Sequence, residues 1–397
     1  MADDEGFWAL DPTWVHLNHG SYGACPRPVL AEQSRLRTRL EANPTRWFDE
    51  EYPAAVERAR ARLAEFVGSS AAALAFVANA TSGVNTALRA VAARLAPGDQ
   101  VLVTDTAYHA CRNAVESIAA LHRLDVVVAT VPERLAGPDE VVRAVLAAAG
   151  PRTRVALLDH VTSADAVVYP IRALVAALEP RVTVIVDGAH APGMVELDVD
   201  AVGASFYTGN CHKWLCAPKG AAFLCVGEAW RDAVTPLTIS HGWSDPRGAD
   251  EGRFHGQFDW PGTTDPTAWL CVPAALDAIG DLRPGGWAQV RAEGHDRVLA
   301  GARVLGDAFG TEPLVPASMI GSMVVVPLSG PAARFGPDEL TALARTHRIE
   351  AKFAPGRGSA AATGIRLSAH LYNDARDYER IAAVLTAVAD PLSSRVR

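Results

Sequence analysis

Lys213 stands in Thr208-Gly209-Asn210-Cys211-His212-Lys213-Trp214, between a histidine and a tryptophan, just after an apolar run. That is an odd setting for a solvated amine. Asp187 ends another apolar run and is followed by Gly188-Ala189-His190-Ala191-Pro192-Gly193. The small residues of Asn79-Ala80-Thr81-Ser82-Gly83 lie between a run and a helical pattern, where free N–H groups attract an anion. His109 follows the next run, and Arg366 sits inside Gly364-Ile365-Arg366-Leu367-Ser368. Each has a plain alternative: a surface lysine, a capping aspartate, ordinary N-caps, a structural histidine and an internal ion-pair arginine. Together they supply an amine for an imine and a carboxylate for a pyridine nitrogen. They add donors for a phosphate, a flat group over a ring and a fork for a carboxylate. These are the parts that pyridoxal-phosphate chemistry requires.

The elements that must hold them follow from hydrophobic pattern. Strands are expected at 74–77, 100–104, 125–130, 154–159, 182–187, 204–208 and 221–226, mostly as continuous runs suited to burial on both faces. Helical patterns at 82–95, 111–122, 139–149 and 171–178 alternate with the early ones. Such βαβ alternation predicts an α/β fold with a mostly parallel sheet. Ligands then bind beyond the carboxyl ends of the strands, where Asp187 falls. The N-terminal part shows helices at 28–41 and 52–67. Beyond Gly285-Gly286 come a long helix, strands near 322–327, 348–353 and 364–368, and helices near 337–347 and after Asp374. We therefore expect residues 1–50 as a segment touching both domains, 51–284 as a large domain and 285–397 as a smaller α+β domain.

Composition narrows the partners. The 397 residues carry a net charge of −8, and no run of Lys or Arg is longer than two, so nucleic acid is not expected. No stretch of about 18 apolar residues predicts a membrane span. The acidic N-terminus lacks the features of a signal peptide, so a cytoplasmic protein is expected. The six cysteines are scattered without a CxxC pair, which reads as reduced thiols. Cys211 and His212 are adjacent, a poor zinc spacing, so no metal is expected.

Several stretches, in order, carry a resemblance. They are Leu17-Asn18-His19-Gly20-Ser21-Tyr22-Gly23 with Pro26-Arg27-Pro28, residues 79–85, Asp159-His160-Val161-Thr162-Ser163, and residues 187–193 and 206–220. Ser240-His241-Gly242-Trp243, Gly262-Thr263 with Asp265-Pro266, and Arg366-Leu367-Ser368 with Tyr372-Asn373 complete the set. The chain resembles the class V aminotransferase family of fold-type I pyridoxal-phosphate enzymes, and within it the isopenicillin N epimerase group. The resemblance implies a mostly parallel seven-stranded sheet with helices on both faces, and a homodimer with shared active sites. It implies Lys213 as the Schiff-base lysine, Asp187 as the pyridinium partner, His190 beside the ring oxygen and His109 as the stacking group. Thr81, Ser82, Asn210 and His212 fall at phosphate-binding positions, and Ser163 near the ring oxygen. Thr263 matches a phosphate contact made from the other subunit, and Arg366 the arginine for the substrate carboxylate. His19, Tyr22, His241, Trp243 and Trp260 are pocket candidates, with core or interface packing the alternative for the tryptophans. Two stretches depart from the group: Ala164-Asp165-Ala166 replaces a Pro-Thr-Gly-like turn, and Thr264 stands where Arg is frequent.

The expected chemistry starts when an amino-acid substrate displaces Lys213, whose freed amine removes the Cα proton. Reprotonation on the other face would make an epimerase; loss of a β-sulfur group, a C–S lyase; protonation on the cofactor, an aminotransferase. The first two rank equal and the third behind them. A cysteine desulfurase needs a cysteine shortly before the arginine, and residues 352–365 contain none. The segment 354–359 reads as a flexible lid. A non-catalytic binding protein of the same fold would be expected to lose the lysine or the carboxylate, and both are intact.

Overall fold

The computed structural model describes residues 6–244, 253–357 and 363–388. Continuous apolar runs become central strands because alternate side chains enter two different cores. In β3 (Gln100–Thr104), Leu102 joins one core while Val101 and Val103 join the other. In β5 (Thr153–Asp159), Ala156 and Leu158 face the first and Val155 and Leu157 the second. In β6 (Thr183–Asp187), Val184 and Val186 oppose Ile185 in the same way. A strand buried on both faces has no place for alternating polar residues.

The remaining strands of this sheet are β2 (Leu74–Val77), β4 (Asp125–Ala129), β7 (Phe206–Asn210) and β8 (Ala222–Val226). Their order is β2-β8-β7-β6-β5-β3-β4. All neighbouring pairs are parallel except those of β8, which runs antiparallel to β2 and β7. The mostly parallel seven-stranded sheet is thus as expected. Helices α1 (Ala80–Ala92) and α2 (His109–His122) bury Val84, Leu88 and Val115 in one core. Helix α3 (Ile171–Leu178) and the N-terminal helix Tyr52–Val67 bury Leu174 and Leu63 in the other.

Strand β7 starts two residues later than the run at 204–208 predicts, and it reaches Asn210. Pairing with β8 sets that end, because Asn210 lies opposite Ala222. Helix α1 also starts earlier than predicted, since the Asn79 side chain accepts the Ser82 N–H as its cap.

Beyond the long helix Gly286–Phe309 lies a second, antiparallel sheet. It contains β9 (Met323–Pro327), β10 (Lys352–Ala354) and β11 (Gly364–Ser368), in the order β10-β11-β9. Ile349–Glu350 forms a separate short strand, because it pairs with Val15–His16 from the N-terminus. The run read as one strand at 348–353 is therefore shared between two sheets. No described helix is long and apolar enough to cross a membrane.

Candidate active site

Asp187 ends β6 in register with Asp159 on β5 and Thr208 on β7, and it is 3% exposed. Its Oδ1 accepts the Ala189 N–H at 3.0 Å, and its Oδ2 accepts the Cys111 thiol at 3.1 Å. No Lys or Arg forms an ion pair with it among the described residues. A buried carboxylate without a cation is costly, so the pocket is suited to a cationic group placed against it. Asp159 beside it is driven well above the carboxylate range by burial and then by the Asp187 charge. One neutral acid thus stands next to one acceptor.

Lys213 follows β7 in a bend. The residue is partly exposed, but its amine end is enclosed, and burial pulls its pKa down to about 8, with Asp187 opposing the shift. Its Nζ lies 3.0 Å from His190 Nε2. Burial, then the Lys213 charge, holds His190 far below the usual histidine range, so that ring is neutral. Two glycines bring backbone close to these groups. At Gly23 (φ 70°) a Cβ would fall 2.0 Å from the His212 carbonyl oxygen; at Gly83 it would fall 2.2 Å from Thr208 Oγ1. The first lets the N-terminal segment press on the lysine bend, and the second seats α1 against β7.

The N-terminus of α1 opens at the same strand ends. Asn210 Oδ1 takes the Ala80 N–H at 2.9 Å, leaving its Nδ2 as a donor. Ser82 is held by Asn79, and Thr81 is half-buried beside it. His212 is half-buried and its Nδ1 faces the Ala221 carbonyl at 3.1 Å. This is a helix start with polar donors around it, the arrangement that receives a phosphate.

Arg366, on the central strand β11, is 2% exposed. Its guanidinium donates to Ser163 O at 2.6 Å, Asn18 Oδ1 at 2.8 Å and Ser21 Oγ at 2.9 Å. All three acceptors are neutral, and Nε has no partner. Burial lowers its pKa to about 10. The internal ion-pair alternative is thereby set aside, since no carboxylate pairs with Arg366 among the described residues.

The other predicted positions are placed differently. His19 packs behind the lysine and lines a cavity with Tyr22 and Tyr372. It is 4% exposed, with Nε2 at 3.1 Å from Lys213 O, Nδ1 at 3.0 Å from Tyr372 Oη, and its ring stacked on His370. Cys216 adds a third buried donor within 4.8 Å of both imidazoles. Both ring nitrogens of His19 are engaged, so the trio reads as a hydrogen-bonded support. Tyr22 is 76% exposed. His241, Trp243 and Thr263 are exposed, and Trp260 packs edge-on against Phe48. Among the described residues no hydrogen bond or ring contact joins these to Lys213. His109 begins α2 and is exposed. Its neighbour Tyr108 is drawn above the usual phenol range by burial, then by Cys111, Asp187 and Tyr22.

No role is assigned to Cys111, Trp214, Asn18 or Ser21 from the sequence alone, although the last three lie inside its motifs. Cys111 sits one turn into a helix that starts at the strand ends, which was the available signal. The segment read as a lid is anchored where it is described. Arg357 pairs with Asp105 and Asp165 at 3.3 Å, and its backbone N–H donates to Glu133. Gly358 and Ser359 lie outside the described residues. Asp165 belongs to the departing turn, where Ala166 adopts φ 59°, a left-handed conformation that favours glycine. Ala166→Gly relieves the left-handed cost for alanine but adds chain entropy and removes a buried methyl, so stability is expected to change by less than about 1 kcal/mol. A larger change in either direction in urea unfolding would contradict this.

Residues 22–299 match the family model described as aminotransferase class-V. The chain belongs to the class V aminotransferase family. It is a pyridoxal-phosphate-dependent enzyme. Isopenicillin N epimerase of Streptomyces clavuligerus is 32% identical, over 96% of this chain and 97% of that protein. Putative L-cysteine desulfhydrase 1 of Oryza sativa subsp. japonica is 30% identical, over 96% of this chain and 84% of that protein. Among solved structures, a C-DES mutant with glycine covalently linked to its PLP cofactor superposes with a TM-score of 0.80. It is 20% identical and covers 98% of this chain and 100% of that one. Another C-DES structure describes that protein as a cystine C–S lyase.

Only a neutral amine attacks an aldehyde, and burial draws the Lys213 pKa down to about 8 from the usual lysine value. With Lys213 proposed as the amine that receives pyridoxal phosphate, the rate of its uptake by apo-protein should rise to a plateau just above pH 8. A rate still climbing at pH 10 would contradict an enclosed amine.

Proposed function

We propose that this enzyme removes the Cα proton of an L-amino acid whose carboxylate binds Arg366. The carrying observation is that buried guanidinium with three neutral acceptors, no anionic partner among the described residues and one unpaired nitrogen. A substrate carboxylate supplies the missing charge in a geometry the fork accepts. Pyridoxal phosphate, when bound, supplies the conjugated ring that takes up the electron pair left at Cα.

The chain's own residues do the rest. Lys213 carries the nucleophilic amine and then serves as the base. Asp187 keeps the ring nitrogen protonated, and His190 and Ser163 face the ring oxygen. Thr81, Ser82, Asn210, His212 and the start of α1 hold the phosphate, and His109 covers the ring. A homodimer in which Thr263 reaches the partner's site is proposed on the class V resemblance alone; Ile239, Trp243 and Tyr22 are 50%, 51% and 76% accessible in the single chain.

Both epimerisation and C–S β-elimination of a cysteine-derived substrate begin with this proton transfer, and the named relatives divide between them. Incubation with L-cysteine, L-cystine and small cysteinyl peptides in deuterated water separates the two. Cα deuterium without other product means epimerisation; pyruvate or released sulfur means elimination. Wild-type holoenzyme that exchanges no Cα hydrogen with any amino acid would end the proposal.

A further inference from the structure

Trp214 is next to the lysine and 2% exposed. Its indole N–H points to His190 Nδ1 at 3.4 Å, at the long end of a hydrogen bond, and has no other acceptor among the described residues. On the far side of the same ring, Nε2 faces Lys213 Nζ at 3.0 Å. An indole nitrogen can only donate, so Nδ1 must accept. A neutral imidazole carries one proton, which then sits on Nε2. The other tautomer would set two buried N–H groups against each other, leaving both unpaired in a dry site.

We propose that Trp214 is a positioning residue that locks His190 as the Nε2–H tautomer, making His190 an obligate hydrogen-bond donor toward the reaction centre. The consequence reaches Lys213. A donor at Nε2 needs a lone pair opposite, so His190 favours the free amine of Lys213 over its ammonium form. The neutral state that burial imposes on His190 supports this arrangement. His190 thus cannot act as the base for the Cα proton, and Lys213 remains the group for that step. After cofactor loading the same N–H is directed to an acceptor rather than to a donor. The inference rests on the proposed cofactor role only for that last point; the tautomer belongs to the protein alone.

The test uses nitrogen-15-labelled histidine in holoenzyme and in cofactor-free protein. His190→Asn identifies the His190 signals among the 12 histidines. In wild type the spectrum should show the proton on Nε2 in both states. Trp214→Phe keeps an aromatic ring in the core but removes the donor. That variant should shift His190 to a mixture or to the Nδ1–H form. It should also move the pH midpoint of the visible absorbance of the holoenzyme by roughly half a unit or more. A wild-type proton on Nδ1 overturns the inference, as does an unchanged tautomer in Trp214→Phe. Should Trp214→Phe fail to fold, the wild-type spectrum alone decides. Should wild type fail to hold pyridoxal phosphate, the cofactor reading falls, while cofactor-free protein still decides the tautomer.

Discussion

Lys213→Ala protein is expected to hold pyridoxal phosphate without a borohydride-reducible link and to lose Cα–H exchange by roughly 10²–10⁴-fold or more. The size of the effect follows from two roles in one amine. Lys213 is the nucleophile that receives the cofactor, and it is the base set beside the reacting carbon. The chain has only two other lysines, Lys219 and Lys352, and both are exposed. Lys219 is held by the Gly23 carbonyl at 3.0 Å, and Lys352 lies on β10 of the small sheet. Neither can replace the lost amine without leaving its element. Lys213→Arg is the control, since it keeps a cation but no usable lone pair. Mass spectrometry after borohydride treatment and deuterium exchange read the two roles separately. Residual exchange within tenfold of wild type in both variants would remove Lys213 from the mechanism.

Asp187→Asn is expected to keep the cofactor on Lys213 and to lower Cα–H exchange by roughly 10²–10³-fold. Asparagine has the same shape and can still accept the Ala189 N–H. What disappears is the negative charge that makes a protonated ring nitrogen favourable. The folded protein should tolerate the change, because a buried carboxylate without a cation contributes little stability. Thermal unfolding of the cofactor-free variant should therefore match or exceed wild type. Loss of exchange together with a large fall in stability would point to misfolding, and unchanged exchange would rule out the electrostatic role.

Much of this arrangement was legible in the sequence because it depends on local pattern. Apolar runs bounded by turns marked all seven strands of the large sheet, and Asp187 and Lys213 stood just past two of them. Limits of elements were harder. The end of β7 at Asn210 is set by pairing with β8, which lies 12 residues on in the Asn210–Ala222 register. Facing was harder still. His19 reads as a pocket residue in its motif, and the sequence gives no sign that its ring also stacks on His370 and bonds Tyr372 behind the lysine. Cys111 carries no motif of its own, and Trp214 reads in its motif only as a neighbour of Lys213. Their roles arise because a helix start brings Cys111 to Asp187 and the bend after β7 brings Trp214 to His190. The partners of Arg366, Asn18 and Ser21, lie nearly the whole chain away, so no local spacing could connect them. The Ala164-Asp165-Ala166 departure became intelligible only with Arg357 beside Asp165.

The most direct measurement is peptide mapping of wild-type protein reduced with borohydride in the presence of pyridoxal phosphate. One stoichiometric pyridoxyl group on the peptide containing Lys213 is the predicted result. Modification confined to Lys219 or Lys352, or none at all, would contradict the account of the site.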